Sequence, residues 1–394
     1  MPTPAEGQGG HPRLVEFLAG RILAAGPIPF SEFMEAALYH PEHGYYASGT
    51  VAIGAEGADF RTSPEIHPIF AEMLARQVAE MYEKLGRPEP FRVIELGPGT
   101  GRLAHAFLSH AAALLPERIR GWEYHLVERS QALIQAQKGA LQTLPVGVAS
   151  VPRWSTEESL GAHGGAGVIL SNEFFDALPV ARVEVSGGRL QELRVGWSPG
   201  HGFFTRACDP DDERLQEYFS EYGAELGEGQ AAEACLEALA WVDRMTTLLH
   251  RGYLLTIDYG YLADQLYAPL RRAGTLLAYR DHQVVQEVLR DVGHQDLTAH
   301  VNFTALIRRG EENGWTAAPL RTQTEFLLAL GILGRMQESD ALAGGEVERL
   351  QGRLAAKELF APGGMGETFR VLIQARDAPL EGLAGLGSPW RDTC

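Results

Sequence analysis

The sequence predicts an α/β protein built on a doubly wound, mostly parallel sheet, with an N-terminal helical segment before the sheet and an inserted cap within it. Two observations carry this reading. From Phe91 to Leu170, short apolar runs of buried-strand type alternate with stretches of helical spacing. The alternation then breaks after Pro179 and resumes at Tyr253. With 394 residues, and about 100–200 residues per domain, the chain holds two domains or one elaborated domain. The expected division is 1–90, a helical lid segment; 91–181, the first part of the core; 182–250, an inserted cap on the substrate side; and 251–394, the second part of the core with helical additions.

Each element has its own signal. Leu14, Phe17, Leu18 and Leu23 recur at helical spacing within Pro12 to Ala25. Ser31 is the expected N-cap of a second helix reaching Leu38, and Pro68 to Leu85 is a third, after a loop rich in Gly and aromatic residues. Phe91 to Leu96, Glu123 to Val127, Pro145 to Val151 and Val168 to Leu170 are the first four strands, separated by helices over Arg102 to Leu115 and Ser130 to Leu141. In the insertion, Arg182 to Val185 and Leu190 to Val195 form a hairpin turning at Gly187-Gly188, with Phe203 to Arg206 beside it. Asp212 to Tyr222 and Ala231 to His250 are read as helices. Tyr253 to Ile257, Leu297 to Val301 and Phe369 to Gln374 are the later strands, with helices near Phe303 to Asn313, Gln323 to Leu330 and Glu346 to Leu359.

Composition narrows the function. Hydrophobic residues at 45% and charged residues at 22% belong to a folded protein. The net charge of −17, from 34 basic and 51 acidic side chains, opposes a general nucleic-acid binder and leaves a basic protein substrate open. Cys208, Cys235 and Cys394 form no CxxC pair, so no zinc site or disulfide framework is expected. His40-Pro41-Glu42-His43 supplies too few ligands for a metal, and none is predicted. No apolar run approaches the roughly 18 residues of a membrane span. Met1 to His11 has neither signal-peptide nor transit-peptide character, so a cytoplasmic location is expected.

The strongest local motif is Val93-Ile94-Glu95-Leu96-Gly97-Pro98-Gly99-Thr100-Gly101, a strand feeding a glycine turn that opens a helix. Gly97 and Gly99 allow close backbone approach to a ligand, and the helix beyond offers free N–H groups. Arg102 stands where the dinucleotide fingerprint G-x-G-x-x-G requires its last glycine. Glu95 suits a cation rather than a pyrophosphate. S-adenosylmethionine, with an ammonium and a sulfonium and no phosphate, fits better than NAD. Glu128, at the end of the second strand, can accept two hydrogen bonds from a ribose diol; the alternative is an exposed strand-end acid with Ser130 capping the next helix. Trp154, in the loop expected after the third strand, flanks an adenine or belongs to the core.

Beyond these motifs the sequence resembles the MidA-like family of S-adenosylmethionine-dependent methyltransferases, relatives of a mitochondrial arginine methyltransferase needed for complex I assembly. The resemblance runs from about Phe30 to Ile373 and rests on Tyr39-His40-Pro41 with Gly44-Tyr45-Tyr46, Asp59 to Ile66, Glu95 to Gly99, Ser171 to Pro179, Ile257 to Gly260 and Asp296 to Val301. Gln191 to Arg194 and Asp281 to Gly293 depart from the family pattern. The resemblance implies a class I methyltransferase fold, S-adenosyl-L-methionine as cofactor and arginine of a protein partner as substrate, possible examples being a respiratory-complex subunit or its homologue.

The chemistry can be set beside that. A protonated guanidinium needs carboxylate partners close to the sulfonium. Glu173 is the first candidate, Asp176 the second and Asp258 a weaker third, with Asn172 beside the cofactor. Asp176 and Asp258 are also ordinary turn residues, in Phe175-Asp176-Ala177-Leu178-Pro179 and Asp258-Tyr259-Gly260. The resemblance tips Asp59, Thr62 and Ser63 towards a lid over the cofactor, although Ser63 is also a natural N-cap. Tyr259 and His300 stay open as participants. The alternatives are a methyltransferase of small molecules, a non-catalytic assembly factor that keeps the fold and, furthest, an NAD-linked oxidoreductase.

Overall fold

Short, nearly continuous apolar runs form the middle of the structure, because a parallel strand covered by helices on both faces has no side to leave polar. The computed structural model describes residues 9–47, 63–145, 147–148, 151–160, 164–280, 283–342, 345–361 and 364–389. The N-terminal helices are α1 (Pro12–Ala25), α2 (Phe30–Tyr39), the single turn α3 (Ser63–Ile66) and α4 (Ile69–Lys84). The first half of the sheet domain then runs β1 (Phe91–Leu96), α5 (Arg102–Leu114), β2 (Trp122–Val127), α6 (Gln131–Leu141), β3 (Pro152–Ser155), α7 (Glu157–Leu160) and β4 (Gly165–Asn172).

The insertion follows as β5 (Ala181–Ser186), β6 (Arg189–Ser198), β7 (Gly202–Cys208), α8 (Arg214–Tyr222) and β8 (Ala231–Ala234). Its four strands make an antiparallel sheet in the order β7-β6-β5-β8. Gly187 and Gly188, at φ 61° and 71°, form the turn between β5 and β6, a conformation open to glycine without strain. α9 (Leu236–Leu248) then leads to β9 (Leu249–Tyr261), the long strand that re-enters the main sheet.

A small antiparallel sheet, β10 (Leu277–Arg280), β11 (Gln283–Val285) and β12 (Asp296–Thr298), follows. The short strands β13 (Val301–Asn302), β14 (Thr316–Ala317) and β15 (Arg321–Thr322) and the closing strand β16 (Phe369–Arg376) complete the chain's pairing. The main sheet runs β14-β16-β9-β4-β1-β2-β3. From β9 to β3 the neighbours are parallel, and β16 is antiparallel to β9.

One face of this sheet is covered by α4 and α5, with Phe70, Phe107 and Tyr124 in the packing. The other carries α9 and the helix Phe303–Glu312, through Trp241, Met245 and Phe303. The first two helices, α1 and α2, share a separate apolar cluster with the inserted and small sheets, where Phe33 meets Phe203 at 5.4 Å between ring centroids.

Five elements differ from expectation, three of them through pairing with a strand remote in sequence. The third strand is Pro152–Ser155: Val148 N–H donates to Pro145 O and Val151 N–H to Val148 O, turn contacts rather than strand pairing, and the chain pairs with β2 only from Pro152. Ala231–Ala234 is a strand, paired antiparallel to β5, and only Leu236 onward is helical. The Ala/Glu composition favours helix, but the strand partner is remote in sequence and prevails. That helix packs on the main sheet, against Ile169 and Leu254, so the inserted sheet itself spans 181–234. Leu297 to Val301 divides between β12, paired with β10, and β13, paired with β9. Ser31 lies inside α2, whose N-cap is Pro29. The helix Ile332–Leu342 was not foreseen.

Leu170 sits fully buried in β4, in the apolar cluster shared with α4 and α5, whereas Leu114 at the end of α5 is exposed. Leu170→Ala is expected to cost about 2–5 kcal/mol in urea unfolding and Leu114→Ala less than about 0.5 kcal/mol. Equal costs would refute the placement of the core.

Candidate functional site

The sheet register brings the chemical residues to one edge. Leu96 of β1 lies opposite Ser171 of β4, and Asn172 lies opposite Ile257 of β9. The glycine turn, the segment after β4 and the Asp258 end of β9 therefore meet at the carboxyl ends of adjacent parallel strands, where open α/β sheets hold ligands. A cavity of about 1040 Å³ opens there.

Glu95, Gly97, Pro98 and Gly99 line that cavity. Gly97, Gly99 and Gly101 have φ 63°, 52° and 84°, in the left-handed region. A Cβ on Gly97 would come within 2.9 Å of the Phe174 ring, while one on Gly99 meets no protein atom within 4 Å. Gly101 is the N-cap of α5, and its missing Cβ makes room for Gln137 at 3.1 Å. Gly101 is not among the lining residues, so its role is packing. Glu95 is buried, accepts a hydrogen bond from the Tyr124 hydroxyl at 2.8 Å, and is pushed up to about 7 by burial.

Glu128 lines the cavity with one oxygen already occupied: Oε1 accepts the N–H groups of Arg129 and Ser130 at 2.9 and 2.8 Å. Burial holds its carboxyl above the usual range. Ser130 also caps α6. Gln137, which sequence reasoning passed over as a polar residue on a helix, joins this corner. Its amide donates to Gly99 O at 2.8 Å and Glu128 Oε2 at 3.4 Å, and its carbonyl accepts from Trp154 Nε1 at 2.9 Å. Trp154 therefore stands on β3 behind Gln137 and is absent from the lining; Ser155 and Thr156, just beyond, line the cavity instead.

Asn172, Glu173 and Asp176 all line the cavity. Glu173 holds φ 52°, an uncommon conformation for a side-chain-bearing residue. Its Oε1 accepts from Asn172 Nδ2 at 3.0 Å and Ser63 N at 3.3 Å. Ser63 itself is buried against Gln323 rather than lining the cavity. Asp59 and Thr62 lie outside the described residues.

Asp258 is fully buried, and its Oδ2 accepts the N–H groups of Phe174, Phe175 and Asp176 at 3.1, 2.9 and 3.4 Å. Being absent from the lining, it holds the turn from behind and does not face a substrate. Burial, then the charges of Asp176 and Glu173, raise it well above the carboxylate range. Asp176 is pushed up to about 6 by burial, against a hydrogen bond from Tyr259. His300 packs beside Tyr259 and Tyr261, and burial lowers it to about 4, so it is a neutral packing group at neutral pH.

The N-terminal segment closes the cavity. Tyr39 donates to Ala177 O at 2.9 Å, and Tyr46 donates to Asp296 at 2.9 Å. Ser130 Oγ donates to Tyr46 O at 2.8 Å. Arg129 lies 3.4 Å above the Tyr39 ring and pairs with Glu35 at 2.9 Å. Tyr46 and Asp296 belong to the motifs behind the family resemblance, but their meeting here could not be read from sequence. Among the described residues, no group of three or more His, Cys, Asp or Glu is arranged to hold a metal.

Two outcomes follow for ligand binding. Gly99→Val puts a branched side chain into the open space beside the loop and strains its backbone, so affinity for S-adenosylhomocysteine should fall at least about tenfold in calorimetry while the fold persists. Gln137→Ala leaves Gly99 O and Trp154 Nε1 without partners, at a cost of about 1–3 kcal/mol of stability, and should weaken the same ligand. Unchanged affinity in both would remove the loop from the site.

Comparison with known proteins agrees with this geometry. Residues 73–320 match the family model described as "Putative S-adenosyl-L-methionine-dependent methyltransferase". The chain is 31% identical to the mitochondrial protein arginine methyltransferase NDUFAF7 homolog of Drosophila melanogaster, over 93% of this chain and 86% of that one. With the Homo sapiens protein it shares 27%, over 94% and 85%. The crystal structure of a Burkholderia thailandensis protein bound to S-adenosyl-homocysteine superposes with a TM-score of 0.83 at 32% identity, covering 93% of this chain and 92% of that one. These curated relatives are named mitochondrial, which overturns the expectation of a cytoplasmic protein. Cysteine spacing and the make-up of the first residues do not identify a compartment. The fold, the glycine turn with its neighbouring acids, and the family match together assign this chain to the S-adenosyl-L-methionine-dependent methyltransferase family.

Proposed function

We propose that this methyltransferase acts on arginine side chains of a protein partner, with Glu173 and Asp176 engaging the guanidinium. The observation that carries the reading is a single turn after β4 that presents both carboxyl groups to the cavity lined by the glycine loop. Relatives named as protein arginine methyltransferases support it. The family resemblance adds a respiratory-complex subunit or its homologue as the first protein to test.

S-adenosylmethionine supplies an electrophilic methyl on a sulfonium when bound. The chain's residues suit it: Gly99 leaves room for backbone approach, Glu128 keeps Oε2 beside Gln137 for a diol, and Glu95 offers a carboxylate to the ammonium. A guanidinium delocalises its lone pair and must be turned and polarised before it attacks. Charge-assisted hydrogen bonds from two carboxylates do this and fix the nitrogen in line. The methylated guanidinium sheds one proton, which the Asp176 carboxylate can accept at neutral pH.

The deciding experiment is incubation with labelled methyl donor and mitochondrial or host lysate, followed by identification of the labelled residue. Label on arginine supports the reading, and label on another residue type refutes it. Glu173→Gln should lower turnover about 10- to 150-fold with little change in donor affinity. Equal turnover would dismiss the Glu173 role.

The buried Glu95 adds a pH dependence. Its folded pKa of about 7 exceeds the ordinary 4.5, so the folded state binds more protons than the unfolded state between those values. Stability from this group is therefore lost as pH rises from about 4.5 to 7, and Glu95→Gln should remove that fall. Ligand binding runs the other way. A cationic ligand needs ionised Glu95, so S-adenosylhomocysteine affinity should drop up to about tenfold per pH unit below 7 in wild type and stay flat in Glu95→Gln.

A further inference from the structure

We infer that Asp296 is the second half of the substrate site: an arginine guanidinium is held between Asp176 and Asp296 in a recess walled by Tyr39 and Tyr46. This rests on the arginine reading above and extends it to a residue on a different element. Asp176 follows β4, while Asp296 opens β12 of the small sheet, on the opposite wall. Both line the same cavity, at 5% and 0% exposure. The two walls are joined by Ala299 N–H, which donates to Asp176 O at 3.0 Å. Tyr39 and Tyr46 line the same cavity, Tyr46 bonding Asp296 and Tyr39 bonding Ala177 O, one residue beyond Asp176.

Hydrogen bonding indicates what the recess takes. Asp296 Oδ1 accepts both the Tyr46 hydroxyl at 2.9 Å and Leu297 N–H at 3.0 Å, which fixes the carboxyl plane. Asp176 Oδ1 and Asn172 Oδ1 are buried and have no hydrogen-bond partner among the described residues, and both side chains belong to the cavity lining. Buried acceptors without donors are costly unless a ligand satisfies them. Two acids and an amide oxygen around one recess call for a cation with several donors in a plane. A guanidinium has five N–H donors in a rigid fork and stacks on aromatic faces. An ammonium is a compact, strongly hydrated point charge with three donors and no planar fork to match such a set of acceptors. The recess therefore selects arginine over lysine, with Asp296 as the positioning and specificity group.

The test compares wild type, Asp296→Asn and Tyr46→Phe on the arginine protein identified by labelling. Asn keeps the shape and the acceptor for Tyr46 but not the charge. Asp296→Asn should lower kcat/KM about 10- to 150-fold, chiefly through KM, with S-adenosylhomocysteine affinity within about threefold of wild type. Tyr46→Phe keeps the charge and frees the carboxyl to rotate, so a several-fold loss is expected. A kcat/KM within twofold of wild type in folded Asp296→Asn overturns the inference while the arginine reading stands. An equal loss of donor affinity also overturns it, by moving Asp296 to the cofactor site. If Asp296→Asn fails to fold, Tyr46→Phe decides, and an unchanged kcat/KM there overturns the inference. Wild-type label on any residue other than arginine, or none, removes the arginine reading and this site together.

Discussion

The carboxylate of Asp258 holds the turn on which the site depends. A segment leaving a parallel strand has no neighbouring strand to receive its N–H groups, and three of them here, from Phe174 to Asp176, point inwards. Water cannot reach them, so an acceptor must be buried with them. Asp258 comes from the end of β9, the strand next to β4, and so pins the turn to the sheet rather than to a mobile loop. Glu173, at positive φ, and Asp176, facing the cavity, are both set by that turn. The strain at Glu173 is held in place by bonds on both sides, Glu173 N–H to Ile257 O at 2.9 Å and then the three N–H groups on Asp258. A buried acid absent from the cavity lining thus determines where Glu173 and Asp176, which do line it, are placed.

Buried acids dominate the electrostatics of the same region. Glu95, Glu128, Asp176 and Asp258 are all raised chiefly by burial. Groups raised in this way gain ionisation when a cation arrives, because a nearby positive charge offsets the loss of water. A methyl donor with an ammonium and a sulfonium, and a substrate with a guanidinium, both supply that charge. The overall net charge of −17 is consistent with attraction of basic partners, but selectivity belongs to the geometry inside the cavity.

Local signals read well from sequence where the physics is local. The glycine turn needs positive φ, which only a few residue types adopt, so Gly97, Gly99 and Gly101 stand out in any reading. The Gly187-Gly188 hairpin and the Ser130 cap are of the same kind. Failures came where the deciding partner is remote. Ala231–Ala234 is a strand only because β5 lies beside it, and Pro152–Ser155 replaces the preceding stretch only because β2 does. The site divides in the same way. Glu128 and Glu173 follow strand ends and could be named from order alone. Gln137 and Asp296 act through contacts with distant segments, and Trp154 could have been core or ligand contact until its indole was seen to meet Gln137.

Those remote contacts also explain why the resemblance extends beyond the glycine-loop core into the N-terminal segment. Arg129 and Ser130 follow Glu128 directly, and each reaches the N-terminal segment: Arg129 to Glu35 and the Tyr39 ring, Ser130 to the Tyr46 backbone. Tyr46 then turns Asp296 of the small sheet, and Tyr39 binds the backbone at Ala177, one residue beyond Asp176. Glu128 is therefore joined to Asp176 and Asp296 through the N-terminal segment as well as through the sheet. A glycine-loop core without residues 30–46 would keep a nucleotide-type crevice but lose the Tyr39 and Tyr46 contacts that close its substrate side. The same few hydrogen bonds, from Arg129, Ser130, Tyr39 and Tyr46, therefore serve the N-terminal segment and the core together.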